Sequence, residues 1–221
     1  AGRLDLPPVL GSLATHVRSG IGGLEGRPLR AGDSLPVAGL RPPPAAPQTI
    51  HAPWLARSDE AMRVVLGPQD DFFTPEAVHT FLSARWTISP RSDRMAYGLS
   101  GARLAHPKGH DIVSDGVALG AIQVPGDGTP LVLMADRQPT GGYPKIANVI
   151  GVDIGRLAQL RPGDGVSFTA VSIEEAVAAR RARGETTAQG VELAPLARTE
   201  LSSEFLLSAN LIGGVADATG S

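Results

Sequence analysis

The residues best suited to chemistry lie close together in one segment, 121–152, which reads AIQVPGDGTPLVLMADRQPTGGYPKIANVIGV. An apolar run predicts a buried strand that ends just before Asp136, so the strand fixes where this carboxylate emerges. Gly141 and Gly142 lie in the following turn, where they let ligand atoms approach the backbone and leave amide groups available to an anion. Lys145 then adds a mobile positive charge before the next strand. A carboxylate, amide donors and a cation suit reactions in which negative charge develops on a carboxyl or amide oxygen.

A purely structural interpretation of the same segment stays open. Glycine and proline are the usual residues of tight turns, and a polar connection between two strands accounts for both glycines and for Pro139 and Pro144. On composition alone, the two interpretations are equally good.

Arg94 and Gln123 are further candidates for ligand binding. Arg94 opens a predicted strand, and its planar guanidinium group can bind a carboxylate through two hydrogen bonds. An exposed ion pair between Arg94 and a nearby acid such as Asp93 explains the same residue, and such a pair contributes roughly 0–1 kcal/mol. If the strand of Gln123 neighbours the strand that carries Asp136, the two side chains face the same way. Gln123 would then hold an amide or ureido group through two hydrogen bonds.

Composition bounds the class of protein. The chain has 221 residues, of which 42% are hydrophobic and 19% charged, as expected for one large or two small domains with a hydrophobic core. The net charge of -2 provides no basic field, so neither nucleic acid nor an anionic membrane is an expected partner. The absence of cysteine excludes disulfides and cysteine-ligated metal sites. No apolar run approaches the roughly eighteen residues of a spanning helix and no leader is recognisable, so we expect a cytoplasmic protein.

The histidines do not form a convincing metal site. His106 and His110 have the spacing of a helical metal-binding pair. Pro107 and Gly109 argue against a helix at this point, and the remaining histidines are isolated in the sequence. The sequence therefore predicts no metal.

Most of the predicted elements are strands. Short apolar runs separated by Gly, Pro and Asp turns predict strands and favour a mainly β barrel or sandwich; they lie at 62–66, 85–89, 94–99, 121–124, 131–135, 146–152 and 166–171. Helices are few. Thr74 caps one helix with Pro75 at its first position, Ser172 begins a capping box for a helix at 173–183, and a short helical turn is predicted at 153–159.

Four motifs occur in order along the chain. They are SDRMAYGLSG (92–101), HDIVSDG (110–116), GAIQVPGDG (120–128) and ADRQPTGGYPKIANVI (135–150). Together they resemble the biotin-dependent carboxyltransferase family, which includes allophanate hydrolase subunit 2, the C subunit of 5-oxoprolinase and the carboxyltransferase region of urea amidolyase. The resemblance runs from the first residues to about Val171. Pro139 stands where the family usually has Thr, and Gly98 stands where an Arg is common.

The resemblance implies a fold and a domain organisation. The fold is expected to be mainly β, with cyclophilin-like β-barrel subdomains and a few short helices. Because family chains carry a further N-terminal region and this chain opens without an initiator methionine, we expect an N-terminally incomplete chain. The expected parts are the C-terminal part of a first β subdomain (1–40), a proline-rich linker containing RPPPAAP (41–50), a β-barrel carboxyltransferase-type domain (51–184) and a C-terminal tail (185–221).

The resemblance also implies a site. Together with the residue chemistry above, it favours catalytic roles for Asp136 and Lys145. The residues expected to bind substrate are Arg94, Gln123, Arg137, Gln138, Thr140, Gly141, Gly142 and Tyr143.

The implied function is that of one component in a carboxyltransferase or amide-hydrolase complex. The substrate is a small amide or urea derivative, as for allophanate hydrolase subunit 2 or the C subunit of ATP-dependent 5-oxoprolinase, and the implied partner is a smaller homologous subunit similar to allophanate hydrolase subunit 1. The sequence has no biotin attachment signature and no nucleotide loop, so biotin or ATP is expected to be held largely by partner chains or domains. The alternative is a non-catalytic interaction module of the kinase-inhibitor antagonist type, which the family also resembles.

Overall fold

In a computed structural model of the chain, the described residues are 2–40, 42, 48–52 and 59–196. The predicted linker segment 41–47 lies outside them except for Pro42, and so does the predicted tail beyond Leu196. The chain divides into two compact units, one formed by 1–50 with 193–221 and the other by 51–192. The domain boundaries set from the sequence stay predictions.

The described residues form fourteen strands and three α-helices. The strands are β1 (Arg3–Leu4), β2 (Val37–Ala38), β3 (Gln48–His51), β4 (Met62–Leu66), β5 (Trp86–Ile88), β6 (Ala96–Ser100), β7 (Asp115–Gly116), β8 (Ala121–Gln123), β9 (Leu131–Leu133), β10 (Thr140–Gly141), β11 (Lys145–Val149), β12 (Gly165–Val166), β13 (Phe168–Ala170) and β14 (Glu192–Pro195). The helices are α1 (Pro75–Ser83), α2 (Ile154–Leu157) and α3 (Ile173–Ala188), and short 3-10 helices lie at Val17–Ser19 and Asp70–Phe72.

The first unit is built on small sheets. β1 pairs with β2 in antiparallel fashion, and β3 pairs with β14 in a second two-stranded sheet. No residue in 2–40 is buried, and Leu10 and Leu40 are among the large apolar side chains that are exposed there. The described part of this unit therefore has no hydrophobic core of its own between residues 2 and 40.

The second unit is built on one eight-stranded sheet. Its strand order is β12-β5-β6-β9-β8-β11-β4-β13, and every neighbouring pair is antiparallel except β13 and β4, which are parallel. The two outermost strands, β12 and β13, are separated in the chain only by Ser167, whose carbonyl oxygen accepts a hydrogen bond from the Met62 amide at 2.8 Å. One continuous segment thus forms both edges, so the sheet curves into a nearly closed barrel. The predicted mainly β, barrel-like fold with few helices is confirmed.

The core lies between this sheet and α1. Phe81 of α1 stacks on Phe168 with ring centroids 4.8 Å apart, and the indole nitrogen of Trp86 donates to the Phe81 carbonyl at 3.0 Å. All three rings are buried. The predicted N-cap is confirmed, because the Thr74 hydroxyl accepts a hydrogen bond from the Ala77 amide at 3.1 Å.

The second predicted cap is also confirmed, whereas the predicted end of its helix is wrong. The Ser172 hydroxyl accepts from the Glu175 amide and the Glu175 carboxylate accepts from the Ser172 amide, which is a complete capping box. The helix α3 does not stop at Arg183 but continues through Gly184 to Ala188. A helical glycine costs about 1 kcal/mol relative to alanine, which weakens a helix without ending it.

Asp153 fastens the end of β11 to β4. Its buried carboxylate accepts hydrogen bonds from the Arg63 amide at 2.9 Å, from Nε at 3.0 Å and from Nη2 at 2.7 Å. Burial opposes ionisation of Asp153, but the hydrogen bonds from Arg63 outweigh burial and hold the pKa of Asp153 below its usual value.

The change Asp153→Ala should lower the free energy of unfolding by about 3 kcal/mol. This value is at the low end of the range for breaking a buried ion pair, because the Arg63 side chain is 39% exposed and stays partly hydrated. Urea denaturation followed by circular dichroism measures the loss. The control is Asp71→Ala, which removes an exposed ion pair with Lys108 and should cost about 0–1 kcal/mol. Equal losses in the two variants would contradict the role of Asp153.

Candidate functional site

Lys145 is a fixed, buried cation, so the prediction of a mobile positive charge is wrong. It is the first residue of β11, where it pairs with Gln123 of β8, and the residue is only 3% exposed. Its Nζ donates to the Asp115 carboxylate at 2.8 Å and to the Gly116 carbonyl at 3.3 Å. The sheet holds the backbone of Lys145, and these two acceptors hold its ammonium group.

A two-stranded ribbon brings Asp115 to Lys145. β7 pairs with β10 in antiparallel fashion, with Gly116 opposite Thr140 and Asp115 opposite Gly141. The Asp115 side chain is 54% exposed, so the ion pair joins a buried ammonium group to a carboxylate that keeps contact with water. A buried charge needs such a partner, because an isolated ammonium group in an apolar interior is costly.

Gln69 completes the surroundings of Lys145. Its side-chain oxygen accepts a hydrogen bond from the Lys145 backbone amide at 3.2 Å, and its backbone amide donates to the Lys145 carbonyl at 3.1 Å. Hydrogen bonds from the Lys145 side chain and the Gly116 amide, together with a weaker one from the Gln69 side chain, hold the pKa of Asp115 below its usual value. At neutral pH Asp115 is therefore a carboxylate, which accepts the hydrogen bond from Lys145 Nζ.

Asp136 lies in a second, more exposed ion pair. The Arg94 guanidinium group donates to both Asp136 oxygens, from Nε at 2.9 Å and from Nη2 at 3.0 Å, and the Asp136 amide donates to the Arg94 carbonyl at 2.8 Å. The side chains are 75% and 28% exposed, respectively. The sequence suggested Asp93 as the acid beside Arg94, but one Asp93 oxygen instead accepts hydrogen bonds from the Met95 and Ala96 amides.

The two residues assigned to catalysis lie toward opposite ends of β9. Lys145 is level with Gln123, and Gln123 is paired with Leu131, the first residue of β9. Asp136 lies beyond Leu133, the last residue of β9, in a turn in which the Arg137 amide donates to the Met134 carbonyl. The segment 137–144 then carries the chain from the end of β9 back to the start of β11.

Gln123 packs against this segment. The residue is buried, and its amide nitrogen donates weakly to the Tyr143 carbonyl at 3.4 Å. A Cβ atom at Gly141 would lie 2.5 Å from the same nitrogen, so any residue larger than glycine would force the Gln123 side chain to move. β8 and β9 are neighbours, as the prediction for Gln123 required.

The remaining residues of the segment are anchored mainly through carbonyl oxygens. Gly142 accepts a hydrogen bond from the Ile112 amide at 2.8 Å, and Arg137 donates through Nε to the Val117 carbonyl at 3.0 Å. Thr140 and Tyr143 are exposed. Gln138 differs, because its side-chain oxygen is buried and has no hydrogen-bond partner among the described residues. The substrate-binding roles of these residues stay predictions.

Sequence reasoning missed Asp115 and Gln69 as parts of the site. Asp115 was noted only as part of the motif HDIVSDG, and Gln69 lies outside all four motifs. Asp115 lies 30 positions before Lys145 and Gln69 lies 76 positions before it, so no local spacing points to either contact. Co-variation of these positions among relatives is the kind of signal that reveals such distant contacts.

Two classes of feature are absent from the described part of the chain. Between residues 2–40, 48–52 and 59–196 there is no cluster of three or more His, Asp or Glu side chains suited to a metal ion. In the same residues, no helix is both long enough and apolar enough to cross a membrane.

The ion pair between Asp115 and Lys145 should make the stability of the fold depend on pH, because its strength changes when Asp115 is protonated. A carboxyl group with a lowered folded-state pKa stabilises the fold fully above its unfolded pKa of about 3.9, and this contribution is lost as pH falls through the folded pKa. The difference in melting temperature between wild type and Asp115→Asn should therefore be constant above about pH 5 and shrink below about pH 4. Thermal melts at a series of pH values measure it, with Asp71→Asn as the control for an exposed lysine–aspartate pair. A difference that does not change with pH would contradict the role of Asp115.

The chain is similar in sequence to known enzyme subunits. Residues 1–170 match the family described as carboxyltransferase domain, subdomain A and B. Over 182 residues the chain is 40% identical to the C subunit of 5-oxoprolinase from Escherichia coli (strain K12), a match that covers 82% of this chain and 57% of that protein. It is 32% identical over 200 residues to urea amidolyase of Lachancea kluyveri, a match that covers 79% of this chain and 11% of that protein. The chain spans about half the length of the 5-oxoprolinase subunits that it matches.

The chain is also similar to solved enzyme structures. The crystal structure of Kluyveromyces lactis urea carboxylase superposes with a TM-score of 0.69 at 25% identity, over 92% of this chain and 20% of that one. The family match includes all eight strands of the large sheet, as well as Lys145, Asp115 and Asp136. The resemblance inferred from the four sequence motifs is thus confirmed, and the chain belongs to the carboxyltransferase domain family with subdomains A and B.

Proposed function

We propose that this chain is one component of a complex that carboxylates or hydrolyses a small amide or urea derivative, as allophanate hydrolase subunit 2 or the C subunit of ATP-dependent 5-oxoprolinase do. The observation that carries the proposal is the buried ammonium group of Lys145, held by Asp115 and the Gly116 carbonyl. These contacts use two of its three hydrogens, and the third is available to a substrate oxygen.

A fixed cation suits this chemistry because negative charge develops on the substrate's carboxyl or amide oxygen. A preorganised donor stabilises that charge without reorganising during the reaction, and exclusion of water strengthens the interaction. Lys145 is in this position, since the sheet fixes its backbone and Asp115 fixes its side chain.

Asp136 and Arg94 form the second part of the proposed site. Arg94 is largely exposed and offers its remaining N–H groups to a substrate carboxylate, while Asp136 orients or deprotonates a substrate nitrogen. Between the two ion pairs, the buried and unpaired oxygen of Gln138 is an acceptor for a substrate N–H group. The segment that joins the two parts contacts Gln123 and contains Arg137, Thr140, Gly141, Gly142 and Tyr143.

The described residues fit biotin better than ATP. The ureido ring of biotin presents N–H donors and a carbonyl acceptor, which the Gln138 oxygen and the Lys145 ammonium group complement. A triphosphate favours helix N-termini, but the first turn of α1 contains Glu76 and the first turn of α3 contains Glu174 and Glu175, whose charges repel it. Carboxylated biotin would supply the carboxyl group, and we place both its attachment and any ATP on partner chains or domains.

The proposed partner is a smaller homologous subunit similar to allophanate hydrolase subunit 1, and the proposed location is the cytoplasm. The 5-oxoprolinase relatives are by name single subunits of an assembly, which supports a hetero-oligomer. A non-catalytic interaction module of the kinase-inhibitor antagonist type is the alternative. Reconstitution with the candidate partners, followed by assays of ATP turnover stimulated by urea, allophanate or 5-oxoproline, decides between them. Failure of every substrate with every partner would favour the interaction module.

Lys145→Met should abolish most of the activity at little cost in stability. Loss of a preorganised donor typically lowers turnover about 10²- to 10³-fold. Methionine fills the buried space and Asp115 stays hydrated, so the free energy of unfolding should change by less than about 1 kcal/mol. Steady-state turnover of the complex and urea denaturation of the chain measure the two effects. Lys108→Met is the matched control, since Lys108 is exposed and pairs with Asp71 at the same 2.7–2.8 Å range of distances. Normal turnover in Lys145→Met would refute the role of Lys145.

Asp136→Asn tests the other end of the segment. Turnover should fall by about 10²-fold, the usual contribution of a positioned acid or base, while melting should barely change because exposed ion pairs contribute about 0–1 kcal/mol. Asp71→Asn removes a comparable exposed carboxylate and should leave turnover unchanged. If Asp136→Asn and Asp71→Asn behave alike in the turnover assay, Asp136 has no part in the chemistry.

A further inference from the structure

We propose that Arg137 binds a carboxylate and that Pro139 positions Arg137 for this role. The source of the carboxylate, either a small amide substrate or the carboxyl group carried by biotin, rests on the proposed function. The placement of Arg137 does not rest on it, because a hydrogen bond to the ribbon formed by β7 and β10 fixes the side chain.

The ribbon continues for one residue pair beyond its two strands, and Pro139 changes how this pair is bonded. Gly116 lies opposite Thr140, and the next pair is Val117 with Pro139, whose carbonyl accepts from the Val117 amide at 2.9 Å. In an antiparallel ladder, the two residues of such a pair exchange two hydrogen bonds. Proline has no N–H group, so Pro139 cannot donate the second bond to the Val117 carbonyl.

Arg137 supplies the missing donor. Its Nε group donates to the Val117 carbonyl at 3.0 Å. Val117 is buried, and a buried carbonyl group without a partner is costly, so the fold favours this contact. The contact uses only the Nε group of the guanidinium, and the edge formed by the two Nη groups stays available to a ligand.

Arg137 is also the only charged residue in the segment that joins the two ion pairs. Arg94 is matched by Asp136 at one end of this segment, and Lys145 is matched by Asp115 at the other. Within the described part of the chain, the half-buried Arg137 forms no ion pair and no hydrogen bond besides that of Nε. A carboxylate suits it, because a carboxylate neutralises the charge and accepts two parallel N–H bonds from one guanidinium edge.

The two sources of the carboxylate have different consequences for the choice of substrate. Allophanate and 5-oxoproline carry a carboxylate of their own, whereas urea is neutral. If Arg137 binds the substrate's carboxylate, it favours the first two over urea. If Arg137 binds the carboxyl group on biotin, it serves every acceptor alike.

Binding to the chain itself tests Arg137 without any activity. In protein labelled with 15N-arginine, the Nε–H signal of Arg137 should exchange slowly with water, and Arg137→Lys assigns the signal by removing it. Addition of 5-oxoproline should shift this signal, while 2-pyrrolidone, the same ring without the carboxylate, should not. Formate presents the carboxylate alone and should also shift it, at higher concentrations.

The change Arg137→Gln should weaken the binding of 5-oxoproline and formate about 10- to 100-fold, the usual contribution of charge-assisted hydrogen bonds. Arg103→Gln is the matched control and should leave binding unchanged. Arg103 also donates to one backbone carbonyl, that of Asp127 at 2.9 Å, and forms no ion pair with the described residues. The double variant Arg137→Gln with Pro139→Thr gives the Val117 carbonyl a backbone donor again, so it stays informative if the single variant folds poorly.

The change Pro139→Thr tests the positioning role while the guanidinium group stays in place. The restored N–H group should complete the pair with Val117 and displace the Nε group of Arg137, whose signal should then exchange faster. Carboxylate affinity should fall about 2- to 10-fold, since a long side chain must now be ordered on binding. Pro107→Thr, in an exposed loop, should change neither the signal nor the affinity.

Kinetics of the reconstituted complex distinguish the two sources. If the substrate's own carboxylate is bound, Arg137→Gln should raise KM about 10- to 100-fold for 5-oxoproline or allophanate and leave urea unaffected. If the carboxyl group on biotin is bound, kcat should fall for every substrate.

The outcomes also separate this proposal from the proposed function. Equal binding of 5-oxoproline and formate by wild type and Arg137→Gln would overturn the role of Arg137. An unchanged Arg137 signal in Pro139→Thr would overturn the role of Pro139. A wild-type complex that is inactive on every amide, while the chain still binds carboxylates through Arg137, would reject the proposed function alone.

Discussion

The pairing of β4 with β11 is the contact on which the rest of the second unit depends. β4 lies between β11 and β13, so it joins the strand that carries Lys145 to the strand that closes the barrel. At one end of this pairing, Asp153 accepts three hydrogen bonds from Arg63. At the other end, the chain leaves β4 through a turn that returns to the backbone of Lys145. The same pair of strands therefore stabilises the barrel and fixes the candidate site.

The free-energy cost of burying Lys145 is limited because its partner, the Asp115 carboxylate, stays partly exposed to water. A fully buried ion pair loses the hydration of both ions, and that loss often cancels their attraction. In this structure only the ammonium group is buried, while Asp115 remains 54% exposed on the ribbon formed by β7 and β10. The carboxylate keeps part of its hydration and still lies 2.8 Å from Nζ. Most of the desolvation is thus confined to one ion, whose remaining hydrogen is the group that the proposed chemistry needs.

Local features of the fold could be predicted from the sequence, whereas the contacts of the site could not. The caps at Thr74 and Ser172 depend on residues three positions away, and β4 was predicted with its observed bounds because its apolar run is flanked by a clear turn. The burial of Lys145 depends instead on register and on partners far away in the chain. The Arg94–Asp136 pair spans 42 positions, so the nearer Asp93 was the more obvious partner from sequence. Glycines indicated that the chain would turn after β9, but not which oxygens the turn would use.

The connection between β9 and β11 explains why glycine-rich sequence serves this site. The segment 137–144 lies against the chain around Ile112–Val117 on one side and over the buried Gln123 on another. Several of its carbonyl oxygens are used in these contacts, and a Cβ atom at Gly141 would displace the Gln123 side chain. The backbone of this segment therefore connects two ion pairs, Arg94–Asp136 at one end and Asp115–Lys145 at the other. A ligand that contacts both pairs must lie along this segment. Among the described residues, the one buried side-chain acceptor without a hydrogen-bond partner, the Gln138 oxygen, belongs to the segment.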